Sequence, residues 1–361
     1  MNNDELQSKT IDFLRFPLMV CVVFVHAHLK GRIANGVDLH DSNTLPIYQH
    51  VSYFFSHIVS DMAVPLFFFI SGFLFFYSVD TFSKATYKRK LSKRVSTLLV
   101  PYIIWNLIAM LILFMSQTFL SGLNSGMSKP IIDYTLGDFL HAFWDIRGGV
   151  VPIYEPFWYI RDLMVMALFS PIVFYVVKRT KYYAALLFGF MWILHLNIPI
   201  TGLESSSIFF FMTGSYYSIH HKNFVDILAP YQRASIAAYI VMVTIGLCFM
   251  EQAWMPYWHH ICLLFGMIAV ITTTAQFVSK GKWKANSFLN NSSFFLYGLH
   301  MYLITFAHKI LIRTMNPHSE LSLLGIYFLT PLLVIALCLS LYWLLHKYLP
   351  KTVTIMCGGR S

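Results

Sequence analysis

Apolar stretches of roughly 20 residues recur along the whole chain, separated by short polar segments in which lysines and arginines collect. A helix of that length spans the ~30 Å of a membrane's hydrocarbon core. The pattern predicts ten such helices, at 11–29, 57–79, 95–118, 156–177, 183–199, 205–219, 234–250, 257–278, 289–308 and 322–346. The expected fold class is all-α: a polytopic integral membrane bundle forming one transmembrane domain over 1–361, with no repeat and no appended soluble domain. The longest segment outside the membrane is 119–155. Within it, "YTLGDFLHAFWD" spaces its apolar residues as a short interfacial helix would. Asn2, Asp4 and Glu5 make the N-terminus polar rather than basic, and no clear small-residue cleavage site follows. The first apolar run is therefore expected to remain as a span.

Charge gives this pattern a direction. With the N-terminus placed in the cytoplasm, eighteen of the 26 Lys and Arg residues fall in cytoplasmic segments and six outside, while Arg15 and Arg161 fall within spans. That bias predicts cytoplasmic N- and C-termini and a multi-pass protein of the cell (inner) membrane. The net charge of +10 then reflects loops facing anionic membrane lipids rather than nucleic acid. Composition agrees, with 57% hydrophobic and only 12% charged residues. A soluble domain carries about twice that charge. The five cysteines show no CxxC or Cys/His ligand spacing, so neither a disulfide framework nor a structural metal is expected.

Charged and titratable groups inside an apolar helix are costly and need a reason. In "DFLRFPLMVCVVFVHAHL", Arg15 and His26 stand eleven residues apart, which is three helical turns. They share a face and lie about 16.5 Å apart along the axis. His28 falls about 200° round from His26 and reads as a packing or rim residue. Taken singly, Arg15 reads as an Asp12-paired or snorkelling arginine, and His26 as polar glue between helices. Their shared face favours a common channel.

Asp61 and Ser71–Gly72 lie in the second span, the glycine suiting a close helix contact. The cluster Lys88, Arg89, Lys93 and Arg94 precedes the third span and reads as a landing site for phosphates or as an ordinary lipid-facing loop. "YEPFWYIRDLM" brings Glu155, Trp158, Arg161 and Asp162 to the start of the fourth span, as substrate contacts or as an Arg161–Asp162 network tying helix ends together. His195 and Glu204 follow in the outer half. Tyr297 and His300 share a face of the ninth span, three residues apart. Acid–base groups thus gather toward the outside and cations toward the cytoplasm. Histidine suits general-base work near neutral pH, and arginine's planar fork suits phosphate. A phosphorylated donor entering from the cytoplasm and an acceptor arriving from outside would fit that polarity.

Five segments, "RFPLMVCVVFVH", "PLFFFISGFL", "KRVSTLLVPY", "FWYIRDL" and "SSFFLYGLH", occur in an order that resembles the acyltransferase type 3 family of membrane O-acyltransferases, with its R-x10-H signature. The resemblance spans nearly the whole chain. It implies transfer of an acyl group, most often acetyl, from cytoplasmic acyl-CoA (acetyl-CoA as co-substrate, no permanently bound cofactor) to a carbohydrate or glycolipid acceptor at the cell surface. It makes His26 the expected catalytic base and Arg15 the essential arginine, with Arg161 and His300 as supporting residues; beside the resemblance, the carboxylate of Asp61 or Glu155 is placed to orient or charge-balance His26 in catalysis. Expected substrate contacts are Ser71, Glu155, Trp158 and Tyr297, and expected donor contacts are Arg15, Lys88, Arg89, Lys93 and Arg94. A homodimer is compatible with this reading. The competing reading is a transporter or flippase of a sugar-containing lipid or small solute, because intramembrane ionisable groups mark transport paths as readily as active sites. Consumption of an acyl donor separates the two.

Overall fold

The structure is a computed structural model and describes residues 2–29, 33–34, 37–38, 45–119, 129–145 and 151–360. Lys30, Arg32 and Arg147, assigned to the outer segments, lie outside the described residues, as does part of 119–155. The described chain is helical apart from a two-residue antiparallel ladder of β1 (Ile33–Ala34) and β2 (Val37–Asp38). The helices are α1 (Asn3–Val25), α2 (Pro46–Tyr53), α3 (Ala63–Phe76), α4 (Lys84–Arg94), α5 (Val100–Phe119), α6 (Leu136–Phe143), α7 (Trp158–Leu168) and α8 (Ser170–Thr180). They continue with α9 (Tyr183–Ile193), α10 (Ser205–Ile219), α11 (Phe224–Leu228), α12 (Gln232–Cys248), α13 (Met255–Ser279), α14 (Ser287–Met315), α15 (Glu320–Tyr348) and α16 (Pro350–Met356).

Each of the ten predicted apolar runs falls on a helix or a helix pair. Six helical stretches among the described residues are long and apolar enough to cross a membrane: Pro46–Phe76, Lys84–Phe119, Phe224–Cys248, α13, α14 and α15. A seventh arises if Glu155–Leu168 and Ser170–Thr180, bent by 69° at Phe169, form one broken span. Pro171 in the first turn of α8 explains the break, since it removes a donor from the ladder. Helix α1 begins at Asn3, well before the apolar run. The Asn2 side chain accepts from Glu5 N at 2.7 Å, and Asp4 and Glu5 favour the first turn. It ends at Val25, so His26 is its C-cap.

Two long stretches are not regular. Between α2 and α3 lie a π-helical turn, Phe54–Val59, and a 3-10 turn, Ser60–Met62; between α4 and α5 lies a second π-helical turn, Val95–Leu99. Such turns shift the angular register of the side chains that follow. Helices α3 and α10 cross at Gly72 and Gly214. A Cβ at Gly72 would lie 2.0 Å from Phe211 O and one at Gly214 1.9 Å from Phe69 O, so only glycine permits this approach.

Contacts between connecting segments define two ends of the bundle. At one end Asn3 Nδ2 donates to Asp226 Oδ2 at 2.7 Å and Asn290 Nδ2 to Asp12 O at 2.8 Å. At the other, Tyr48 N donates to Glu320 Oε2 at 2.8 Å and Thr201 Oγ1 to Asp145 O at 3.1 Å. Segments assigned to the same side by charge therefore meet in space. The outward faces carry Leu107, Leu111, Leu187, Phe190, Ile240 and Leu332, each more than half exposed. Apolar exposure on that scale belongs against lipid, and the chain is a multi-pass membrane protein. A short helix forms in the expected segment as α6, capped by Thr135, with Leu136 and Leu140 exposed.

Candidate active site

A cavity of about 860 Å³ runs between the helices. Its volume lies toward the upper end of small-molecule sites, roughly 300–1,000 Å³. Arg15 and His26 both line it, as their shared face on α1 requires. So do Asp61, Ser71, Lys93, Arg94, Trp158 and Tyr297. One helix therefore forms a wall with an arginine toward one end of the cavity and a histidine toward the other.

At the His26 end the polar groups hold one another. The His26 ring makes no hydrogen bond with a described residue, leaving both nitrogens available to a ligand; the His300 ring packs behind it, centroids 5.3 Å apart. His300 is fully buried and its Nδ1 lies 2.9 Å from Tyr297 O and 3.2 Å from Leu296 O, which makes Nδ1 the protonated nitrogen. It does not line the cavity. Asp61 lies within the 3-10 turn Ser60–Met62, and its Oδ2 accepts from His259 Nε2 at 3.1 Å. His57 Nδ1 lies 3.7 Å from the same oxygen. Asp61 is thus held by His259 and His57 and makes no hydrogen bond to His26 among the described residues, while its charge still acts on the His26 ring across the cavity. His260, beside His259, stacks on Trp192 with centroids 4.1 Å apart. His28 turns away, packing toward His57 at 5.6 Å and Tyr48 at 6.1 Å.

Midway, Ser71 Oγ and Tyr159 Oη lie 3.0 Å apart on the cavity wall. Gly72 serves the helix crossing while its neighbour Ser71 faces the cavity. Tyr297 stacks on Phe157, centroids 5.0 Å apart, and its hydroxyl donates to Pro156 O, which pins α14 against the start of α7.

At the Arg15 end the cavity is cationic. Arg15 Nη1 lies 3.4 Å from Asp12 Oδ1. Both earlier readings of Arg15 hold together: it is paired with Asp12 and it lines the cavity. Lys93 and Arg94 reach the cavity from the end of α4, and Arg94 lies over the Phe75 ring at 5.3 Å. Lys88 and Arg89, one turn earlier, are exposed and do not line it. Glu155 is likewise exposed and off the cavity. Arg161 and Asp162 are almost wholly buried behind the wall, with Arg161 Nη2 and Nε 2.8 and 3.0 Å from Asp162 Oδ1. The pair is a buried ion pair of adjacent residues within α7.

Sequence reading missed His259, Tyr159, Asn290, Asn291 and Arg360, all of which line the cavity. "WHHIC" at the start of the eighth predicted span was a signal, since paired histidines at a span's end are as costly as the His26 that was noticed. No periodicity argument reaches Arg360, which arrives through tertiary folding of the C-terminal segment.

The sequence profile of the acyltransferase domain family matches residues 8–344. The chain belongs to the acyltransferase type 3 family. As a member of that family it is also similar to the succinoglycan biosynthesis protein ExoH of Rhizobium meliloti (strain 1021), 24% identical over 368 residues that cover 98% of this chain and 93% of that protein. No solved structure matches it. Within the type 3 acyltransferases, then, this chain presents one cavity with a histidine–aspartate end and a cationic end.

Proposed function

We propose that the protein is a membrane O-acyltransferase that moves an acyl group, acetyl in the simplest case, from cytoplasmic acyl-CoA to a hydroxyl of a cell-surface or lipid-linked carbohydrate. The observation that carries this reading is Arg15 and His26 on one helix face lining one cavity, with cations at one end and titratable histidines at the other. A family built on acyl transfer supports the reaction class. A relative named for succinoglycan biosynthesis supports a carbohydrate acceptor. The proposed topology has ten spans in the inner membrane with both termini cytoplasmic, so that the Arg15 end faces the donor pool and the His26 end the acceptor. The charge bias of the loops supports that orientation.

In the proposed reaction the donor's phosphates rest on Arg15, Lys93 and Arg94, and the pantetheine arm follows α1 toward His26. The separation of Arg15 and His26, about 16.5 Å along a straight helix, is of the order of such an extended arm. His26 takes the proton from the acceptor hydroxyl as its oxygen attacks the thioester carbonyl. The carbon–sulfur bond then breaks, and the CoA thiolate leaves with that proton, giving an ester and free thiol. Asp61 holds His259 in one tautomer beside the reacting groups, where His259 and Ser71 can bind acceptor hydroxyls. Trp158 offers an apolar face of the kind that packs against a sugar ring.

Purified protein given acetyl-CoA labelled in the acetyl group, together with a surface-glycan fraction, should release free CoA and pass the label to the glycan as an alkali-labile ester. Movement of a sugar-containing lipid across vesicles without donor consumption would instead establish the transporter reading.

A further inference from the structure

The C-terminal segment folds back against the cationic end of the cavity. Val353 and Cys357 are buried, and Trp105 Nε1 donates to Met356 O at 3.1 Å. The chain then turns through Gly358 and Gly359, at φ +62° and +77°, a left-handed conformation that disfavours any side chain. A Cβ on Gly358 would sit 2.5 Å from Thr97 O, so the turn also presses directly on the π-helical turn that follows Arg94. This turn delivers Arg360 to the cavity wall beside Arg15, Lys93 and Arg94.

Arg360 is held in place but not neutralised. Its Nη1 donates to Thr97 O at 3.0 Å and to Cys357 O at 3.2 Å, and its guanidinium lies 4.7 Å from the Phe294 ring. Those bonds leave the Nε and Nη2 edge, a planar fork matched to a phosphate or carboxylate. Among the described residues, neither Lys93, Arg94 nor Arg360 has a carboxylate within ion-pair distance; only Arg15 does, in Asp12. Desolvation against the cavity wall and the like charges of Arg94 and Arg15 lower the Arg360 pKa, but the side chain is exposed to solvent and stays cationic at neutral pH. Four cations sharing one cavity end with a single carboxylate call for a multiply charged anion to balance them.

We propose that Arg360 is a donor-binding residue: the C-terminal segment docks on Trp105 and Thr97 in order to place this guanidinium on the phosphates of the acyl donor. The assignment rests on the acyl-CoA reading above, and phosphate of a second origin, an anionic lipid headgroup, shares the chemistry.

The test uses the full chain in neutral-lipid nanodiscs, titrated with coenzyme A by calorimetry, and separately with phosphatidylglycerol added to the disc. Loss of a charged hydrogen-bonding partner costs about 1.5–3 kcal/mol, so Arg360→Gln should weaken coenzyme A binding roughly 10- to 100-fold. The KM for acyl-CoA should rise by a similar factor while kcat stays within about twofold, which a merely structural loss would not produce. Arg360→Lys, which keeps the charge and loses the fork, should fall between. An unchanged melting midpoint for both variants should show that the fold survives. Coenzyme A binding that is equal in parent and Arg360→Gln proteins would overturn the assignment and leave the acyl-CoA reading intact. A parent protein that binds no coenzyme A, or an Arg360-dependent site filled only by phosphatidylglycerol, would overturn both.

Discussion

The two ends of the cavity treat charge in opposite ways. At the His26 end the one carboxylate, Asp61, has its counter-groups supplied by the protein itself, from His259 and His57. At the Arg15 end three of four cations have no carboxylate among the described residues; Arg94 lies over the Phe75 ring, and Arg360 over Phe294 with backbone carbonyls as its acceptors. A site that satisfies its own charges is preorganised for chemistry, because its groups need no rearrangement when the reaction occurs. A site that leaves like charges facing one another instead reserves binding energy for a ligand. The contrast divides the labour of the cavity into a reacting end and a holding end, with α1 as the common wall.

That division can be broken most sharply at His26. His26→Asn should lower kcat roughly 10²- to 10⁴-fold, the range expected for loss of a general base. KM for the acyl donor should hardly move, as a steady-state comparison in detergent or nanodiscs would read. Next in size is Asp162→Ala, which removes the carboxylate that Arg161 meets through Nε and Nη2; removing one member of a buried pair costs about 3–5 kcal/mol. The expected outcome is a large drop in melting temperature and in yield, since this pair stabilises the wall without touching the cavity. Gly72→Ala should destabilise by roughly 1–3 kcal/mol, because the added methyl meets Phe211 O across the α3–α10 crossing. A melting curve unchanged by that substitution would show that the two helices do not approach as closely as described. Arg94→Gln should raise the KM for acyl-CoA about 10-fold with kcat nearly intact, by the same loss of a charged contact. The smallest effect belongs to Lys88→Gln with Arg89→Gln, which lie off the cavity. Donor KM should change by no more than about twofold, within the small range typical of surface charges; a large rise would extend the holding end beyond the cavity.

The wall formed by α1 was legible in the sequence because an arginine and a histidine three turns apart within an apolar run admit few readings. Ser71, Lys93, Arg94, Trp158 and Tyr297 were legible for the same reason, as polar or amphipathic groups in or beside apolar helices. Arg161 and His300 were noticed on that ground too, yet both lie behind the wall. Buried pairing and cavity facing cost the same to a helix seen alone, and only packing separates them. Lys88 and Arg89 show the limit of charge runs: one helical turn decides which members of a cluster reach a cavity. The distant partner of Asp61 was beyond any local pattern, because His259 lies almost two hundred residues away and meets it only through the packing of α13 on the irregular turns before α3. Arg360 was hidden more deeply, behind two left-handed glycines whose purpose shows only when Thr97 is seen beneath them.

The division between a holding end and a reacting end is tested most directly by measuring coenzyme A binding calorimetrically on the His26→Asn protein. The account predicts a dissociation constant within about threefold of the parent, a difference under ~1 kcal/mol, in a protein that no longer transfers the acyl group. Turnover that persists, or binding that is lost together with turnover, would contradict it.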